Sequence, residues 1–115
     1  VNQLCIGSLI QGLSEGVALG KKSNLNMTKV LDAISGGAAQ SWQMDNRFKT
    51  MVNGEFDFGF AVDLMIKDLK IALNHSKDLG IKLPATKSVL QNYKKLSTLG
   101  DGQLDTSSLL KLLDY

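Results

Sequence analysis

One cysteine, one proline, one histidine, one arginine and one tryptophan stand in a chain of 115 residues, and each scarcity closes off a class of function. With Cys5 alone, neither an internal disulfide nor a cysteine zinc cluster can form. A single thiol among Leu4, Ile6 and Leu9 reads as a small core hydrophobe and suits a reducing compartment. His75 cannot make a multi-histidine metal site by itself, so no metal is expected. Arg47 is joined by twelve scattered lysines among 13 basic and 11 acidic residues, a net charge of +2. A nucleic-acid reader needs a clustered basic face and arginine forks, and this chain has neither. No Gly-x-Gly-x-x-Gly occurs, and no strand pattern alternates with the helical ones, so the usual cradle for dinucleotide phosphates is missing. Long apolar runs are missing too. Residues 1–20 are interrupted by Asn2, Gln3, Gln11, Ser14 and Glu15, short of the roughly 20 apolar residues of a membrane span. They also lack a basic leader and a small-residue cleavage site. Neither nucleic acid nor membrane is expected as a partner.

What remains is ordinary globular material. A chain of this length buries roughly two-thirds of its unfolded surface in one core, and its 43% hydrophobic share is enough to fill one. The first segment, to about Lys22, is expected to be a helix: Ile6, Leu9, Ile10, Leu13 and Val17 recur at the helical period. Leu4, Ala18 and Leu19 add apolar surface elsewhere, so this helix should be buried nearly all round. Gly12, Gly16 and Gly20 lie on one ridge, as expected where another helix packs closely. The chain begins at Val1, already inside this pattern, and reads as a domain cut from something longer.

Asn26 is placed to cap a short helix over residues 27–34, which Gly36 and Gly37 stop. A third helix is predicted from Ala38 to about Val52, with Trp42, Phe48, Met51 and Val52 in the core and Asn53-Gly54 ending it. Residues 55–59 form a connection. The fourth helix carries the clearest stripe: Val62, Met65, Ile66, Leu69, Ala72 and Leu73 against Asp63, Lys67, Lys70, Asn74 and Lys77. Gly80 suits its C-terminal turn. Pro84 opens a fifth helix running to about Leu96, with Gly100 beyond its end. Asp105 caps a last helix over residues 106–113. The fold class is all-α, a single domain of five to six helices.

Few residues invite chemistry. Asp105 with Ser107 and Ser108 is better explained as a helix start than as a nucleophile, and Glu15 as a solvated carboxylate. Phe60, Asp63 and Lys67 share a face, where Asp63 and Lys67 form an acid-before-base pair worth a few tenths of a kcal/mol. Asp68 stands out. Leu64, Ile71 and Ala72 surround it, and a half-buried carboxylate needs a cation or donors.

At these residues the chain resembles a known family. The run 59–69, Gly-Phe-Ala-Val-Asp-Leu-Met-Ile-Lys-Asp-Leu, followed by Ala72-Leu73, is similar to the "GF…L…KDL…AL" signature of the β-hydroxyacid dehydrogenases. That family includes 3-hydroxyisobutyrate dehydrogenase, tartronate semialdehyde reductase and glyoxylate reductase. Residues 1–16 resemble its long interdomain helix. Leu79-Gly80 to Leu83-Pro84 resembles its "G…LP" joint, and Gly100-Asp101-Gly102 with Asp105-Thr106-Ser107 its closing segment. Four motifs in order cover nearly the whole chain.

The resemblance implies a helical domain like the C-terminal part of 6-phosphogluconate dehydrogenase, covering residues 1–115. It also implies an NAD- or NADP-binding Rossmann domain outside this chain, a short hydroxyacid substrate, a homo-oligomer and a cytoplasmic enzyme. A family catalytic lysine would fall just before Val1, so no catalytic residue is expected here and the chain alone should be inactive. The family asparagine that helps hold substrate maps onto Gln3, with Asn2 beside it. Lys67 matches a lysine near the cofactor, Asp68 an acidic neighbour that orients the catalytic lysine, and Phe60 an aromatic residue of the cleft. The single arginine argues against a sugar-phosphate substrate. A reading from another class, a non-catalytic helical association module, rests on the glycine ridge and the apolar first helix.

Overall fold

The computed structural model describes residues 1–113; residues 114 and 115, part of the expected domain, lie outside the description. Five α-helices run in order: α1 (Asn2–Lys22), α2 (Met27–Ile34), α3 (Trp42–Asn53), α4 (Val62–Asp78) and α5 (Pro84–Leu96). A π-type turn, Ser97–Asp101, and a 3-10 helix, Thr106–Leu112, follow. Among the described residues there is no strand, only one bridge between Ala61 and Asp105. The all-helical expectation holds. No described helix is long and apolar enough to cross a membrane.

The helix ends follow local chemistry. The Asn26 side chain accepts from Lys29 N, and Ser41 Oγ accepts from Met44 N, so each satisfies a first-turn donor that the helix leaves open. That serine moves the start of α3 to Trp42, four residues later than the apolar pattern suggested, because residues 36–40 hold two glycines and no cap. At the end of α4 the chain turns through Gly80 at φ +69°, while Ile81 N donates back to Ser76 O. Pro84 fills the first position of α5, where no N–H is needed.

The long first helix spans two apolar clusters. Ile10 joins Val62, Met65, Ile66 and Leu69 of α4 and Val89, Leu90 and Tyr93 of α5. Two turns further on, Val17 and Ala18 join Leu31, Met44, Phe48 and Met51. The 3-10 helix closes both, with Leu109 in the first and Leu110 in the second. Helix α1 is therefore the spine on which the other elements are hung.

Its outer face departs from expectation. Leu9 and Leu19 are exposed, and Cys5 is exposed rather than in the core. Cys5 falls on the same helical stripe as Leu9, Gly12, Gly16 and Leu19, and all five are exposed. A Cβ at Gly12 or Gly16 would meet nothing within 4 Å, so neither glycine seats a helix of this chain. Gly20 does face a neighbour, the Met27 side chain. Gly7, outside the predicted ridge, is also close to a neighbour: its Cβ would lie 3.3 Å from Val89 Cγ1 on α5. Trp42, expected in the core, is 60% exposed because the Ser41 cap starts the helix with the indole on the outer side.

Gly12→Ala should raise the stability of the dilute chain by up to about 1 kcal/mol, since a helix-interior alanine there meets no obstacle. Leu69→Ala, in the fully packed stripe of α4, should cost about 2–5 kcal/mol. Urea unfolding followed by circular dichroism reads both.

Candidate functional site

The chain's chemistry-bearing residues meet where the head of α1 crosses α4. Gln3 lies in the first turn of α1, and its Nε2 donates to Asp68 Oδ2 on α4 at 2.9 Å. Sixty-five residues separate the two in sequence. The other Asp68 oxygen, Oδ1, pairs with Lys67 Nζ at 3.1 Å. Asp68 is 22% exposed and Lys67 62%, so the carboxylate sits in the wall and the ammonium at its edge. Asn2 stands outside them and donates from Nδ2 to Gln3 Oε1 at 2.8 Å. The Gln3 amide is thus held at both ends, which fixes its orientation.

Lys67 does not take the partner that helical spacing offered. Asp63, one turn earlier, turns the other way and accepts from Ser97 Oγ at 2.6 Å and from Gln103 Nε2 at 3.4 Å. Its backbone N donates to Gly102 O, so the closing segment is laid across the start of α4. A serine hydroxyl held at short range outcompetes an exposed ion pair worth little in water.

Beside Gln3 opens a cavity of about 330 Å³ lined by Gln3, Ile6, Trp42, Arg47, Phe60 and Asp105, among others. Phe60, 39% exposed, is placed by a knot around Asp105. The Asp105 carboxylate is fully buried and takes four donors: Arg47 Nε at 3.0 Å, Phe60 N at 2.9 Å, Ser107 N at 3.0 Å, and the Ser107 hydroxyl. Main-chain bonds from Asp105 N to Phe56 O and from Thr106 N to Phe60 O tighten it. Gly59 has φ +76°, and any Cβ there would overlap the Asp105 carboxylate, so the Gly-Phe pair depends on the glycine.

Asp105 is the helix cap that the sequence suggested, and Arg47 is the partner that the sequence did not reveal. The signal was available in principle: a lone arginine in a lysine-rich chain is an unusual choice, and Arg suits buried carboxylates better than Lys. Arg47 is further enclosed by the Trp42 and Phe58 rings, whose centroids lie 5.1 and 5.0 Å from its Cζ. Glu15 is exposed and bonded to Gln11, and His75 is exposed near the end of α4, apart from this site. No group of three metal-ligating side chains gathers among the described residues.

Comparison with known proteins places the chain. Residues 1–113 match the family described as the NAD-binding domain of NADP-dependent 3-hydroxyisobutyrate dehydrogenase. The chain belongs to that family of NAD(P)-dependent hydroxyacid dehydrogenases. An uncharacterized oxidoreductase of Shewanella frigidimarina is 49% identical over 99% of this chain and 39% of its own length. A probable mitochondrial 3-hydroxyisobutyrate dehydrogenase-like protein of Arabidopsis thaliana is 39% identical over 98% of this chain and 34% of its own. The crystal structure of 3-hydroxyisobutyrate dehydrogenase from Salmonella typhimurium superimposes with a TM-score of 0.89 at 28% identity, covering 97% of this chain and 39% of that one. The chain therefore spans well under half of these proteins.

The Tyr93 hydroxyl, buried beneath the site, donates to Thr106 O at 3.1 Å. Burial, and then the Asp105 charge, push its pKa far above its ordinary value of 10.0, against a smaller lowering from the Thr106 bond. The folded state holds this proton where the unfolded chain releases it, so stability is full below about pH 10 and falls as pH rises beyond it. Tyr93→Phe should flatten that alkaline decline in stability–pH curves taken from chemical denaturation.

Proposed function

We propose that this chain is the helical, substrate-side part of an NAD(P)-dependent dehydrogenase that interconverts a short β-hydroxyacid and its semialdehyde or keto form. The observation that carries the reading is the bond from Gln3 to Asp68, with Lys67 on the opposite oxygen, at the edge of the cavity that Phe60 lines. It joins residues from two separate family-like motifs, and all three side chains are polar groups at or near an opening.

In this reading Gln3, steadied by Asn2, presents its amide to the substrate, and the cavity beside it receives the substrate's carbon chain. Lys67 is a mobile cation that reaches a phosphate or ribose oxygen, Asp68 sets its resting position, and Phe60 supplies an apolar edge. These residues fit one side of a dinucleotide and no more. An exposed ammonium and an exposed ring suit such a contact, and the glycine-rich phosphate loop must be supplied by a nucleotide-binding domain outside these residues. NAD or NADP, when bound, supplies the hydride acceptor and donor. The proton on the reacting oxygen is handled by a lysine that the family resemblance puts just ahead of Val1. Burial brings such a lysine toward neutral pKa, and Asp68 is the carboxylate that this reading assigns to orient it. The isolated chain is inactive in this reading, and the complete enzyme works in the cytoplasm.

A second reading rests on the outer face of α1. Ser8, Leu9, Gly12, Gly16, Val30, Ile34 and Met44 are among the residues around a groove of about 590 Å³ between α1, α2 and α3. An open, mostly apolar face of this kind suits association between copies, and it is compatible with the first reading, since an oligomer core can also carry half of a catalytic cleft. Sedimentation of the chain should show self-association; a monomer at high concentration counts against this second reading.

The dehydrogenase reading is tested by joining the chain to the coding sequence upstream of it. The longer protein should reduce NAD⁺ or NADP⁺ with 3-hydroxyisobutyrate or a related short hydroxyacid, while the 115-residue chain should not. In that protein Lys67→Ala should weaken cofactor affinity by about tenfold, the loss of one charge-assisted contact of about 1.4 kcal/mol. Turnover by the short chain alone, or unchanged cofactor affinity in the variant, rejects the assignment.

A further inference from the structure

We infer that Arg47 makes the cavity beside Gln3 a binding site for a carboxylate, and that it reads the acid group of the ligand. The assignment deepens the dehydrogenase reading by naming the residue that selects the substrate's charge. A guanidinium carries five N–H donors. Arg47 uses Nε on Asp105 and one donor of Nη1 on Asn46 O, and the other three N–H groups meet no acceptor among the described residues. Its side chain is only 15% exposed, so water serves these donors poorly. They are not sealed off either: the one sealed polar side-chain atom without a partner among the described residues is Ser108 Oγ.

The electrostatics favour an anion. Asp105, the counter-charge, is fully buried, and its two oxygens are taken up by four donors. The cation lies nearer to the opening. Gln3 Nε2 already gives one N–H to Asp68 and lies 3.9 Å from Met65 Sδ, so it is left a secondary contact with the substrate while Arg47 takes the acid group. Ile6, Phe60 and Met65 supply apolar walls for a short carbon stem. The Trp42 and Phe58 rings pack 5.1 and 5.0 Å from the Arg47 guanidinium carbon, so little rotamer freedom is lost when a carboxylate docks on it. A cavity of about 330 Å³ is matched to a small acid.

Trp42 is the sole tryptophan and lines the same cavity, so its emission reports locally. The full 115-residue chain is titrated with sodium butyrate and, separately, with its neutral isostere butyramide, at constant ionic strength. Butyrate should change Trp42 emission saturably and butyramide should not. Arg47→Lys, which keeps the charge but loses the fork, should weaken butyrate by about tenfold. The double variant Arg47→Met/Asp105→Asn removes both charges, leaves no unpaired ion to unfold the chain, and should abolish the response. Equal responses to the two probes, unchanged butyrate affinity in Arg47→Lys, or no saturable response in the parent chain each overturns the inference. None of these outcomes touches the turnover test of the longer protein, so the two readings fail separately.

Discussion

The buried carboxylate of Asp105 is the constraint on which the arrangement of the site depends. Removing an ion from water costs several kcal/mol after relaxation, and only a full set of donors offsets that cost. Here the donors come from three places that share no local structure: Arg47 of α3, the backbone of Phe60 in the connection before α4, and Ser107 at the start of the 3-10 helix. Each donor must arrive for the ion to remain buried. The knot therefore sets where the Phe60 loop lies relative to α3, and so shapes the wall of the cavity.

The spine helix makes the knot useful. Helix α1 lies against both apolar clusters, and its head reaches α4 at Asp68 while Gly7, one turn further on, packs on α5. Gln3 is held by a helix whose position is overdetermined by burial, on a 21-residue rod that has little freedom to tilt. Phe60 is held by hydrogen bonds to a buried ion. Two supports, one apolar and one ionic, converge on a single opening. An arrangement of that kind is rigid without needing a metal or a disulfide to staple it.

Much of this was legible in the sequence, and the failures share a cause. The stripe of α4, the Asn26 cap, the Gly80 turn and the Pro84 start are local features, encoded within a turn or two, and they were read correctly. Asp105 as a cap was also local. Its bond to Arg47, 58 residues away, was not, and no periodicity encodes it. Helical spacing pairs Lys67 with Asp63 but says nothing about Ser97, which arrives from another element and takes that carboxylate. The placing of Cys5, Trp42 and the glycine ridge failed for a different reason. Apolar or small character does not by itself mean burial within this chain: Cys5, Leu9, Gly12 and Gly16 lie on an exposed stripe of α1.

That outward stripe and the exposed Lys67 lead to the same consequence. A glycine costs up to about 1 kcal/mol in a helix interior, and Gly12 and Gly16 return none of it through contacts inside this chain. An ammonium at 62% exposure, paired among the described residues with its sequence neighbour alone, contributes almost nothing to folding. Both features are costly or idle in the 115 residues by themselves. They sit on different surfaces: one beside the groove of α1, α2 and α3, the other at the rim where Gln3 meets α4. A chain with two such surfaces gains from two separate neighbours, one apolar and close-packed, the other anionic and able to reach a mobile cation. In the proposed reading, a second copy of the chain answers to the first description and a dinucleotide to the second.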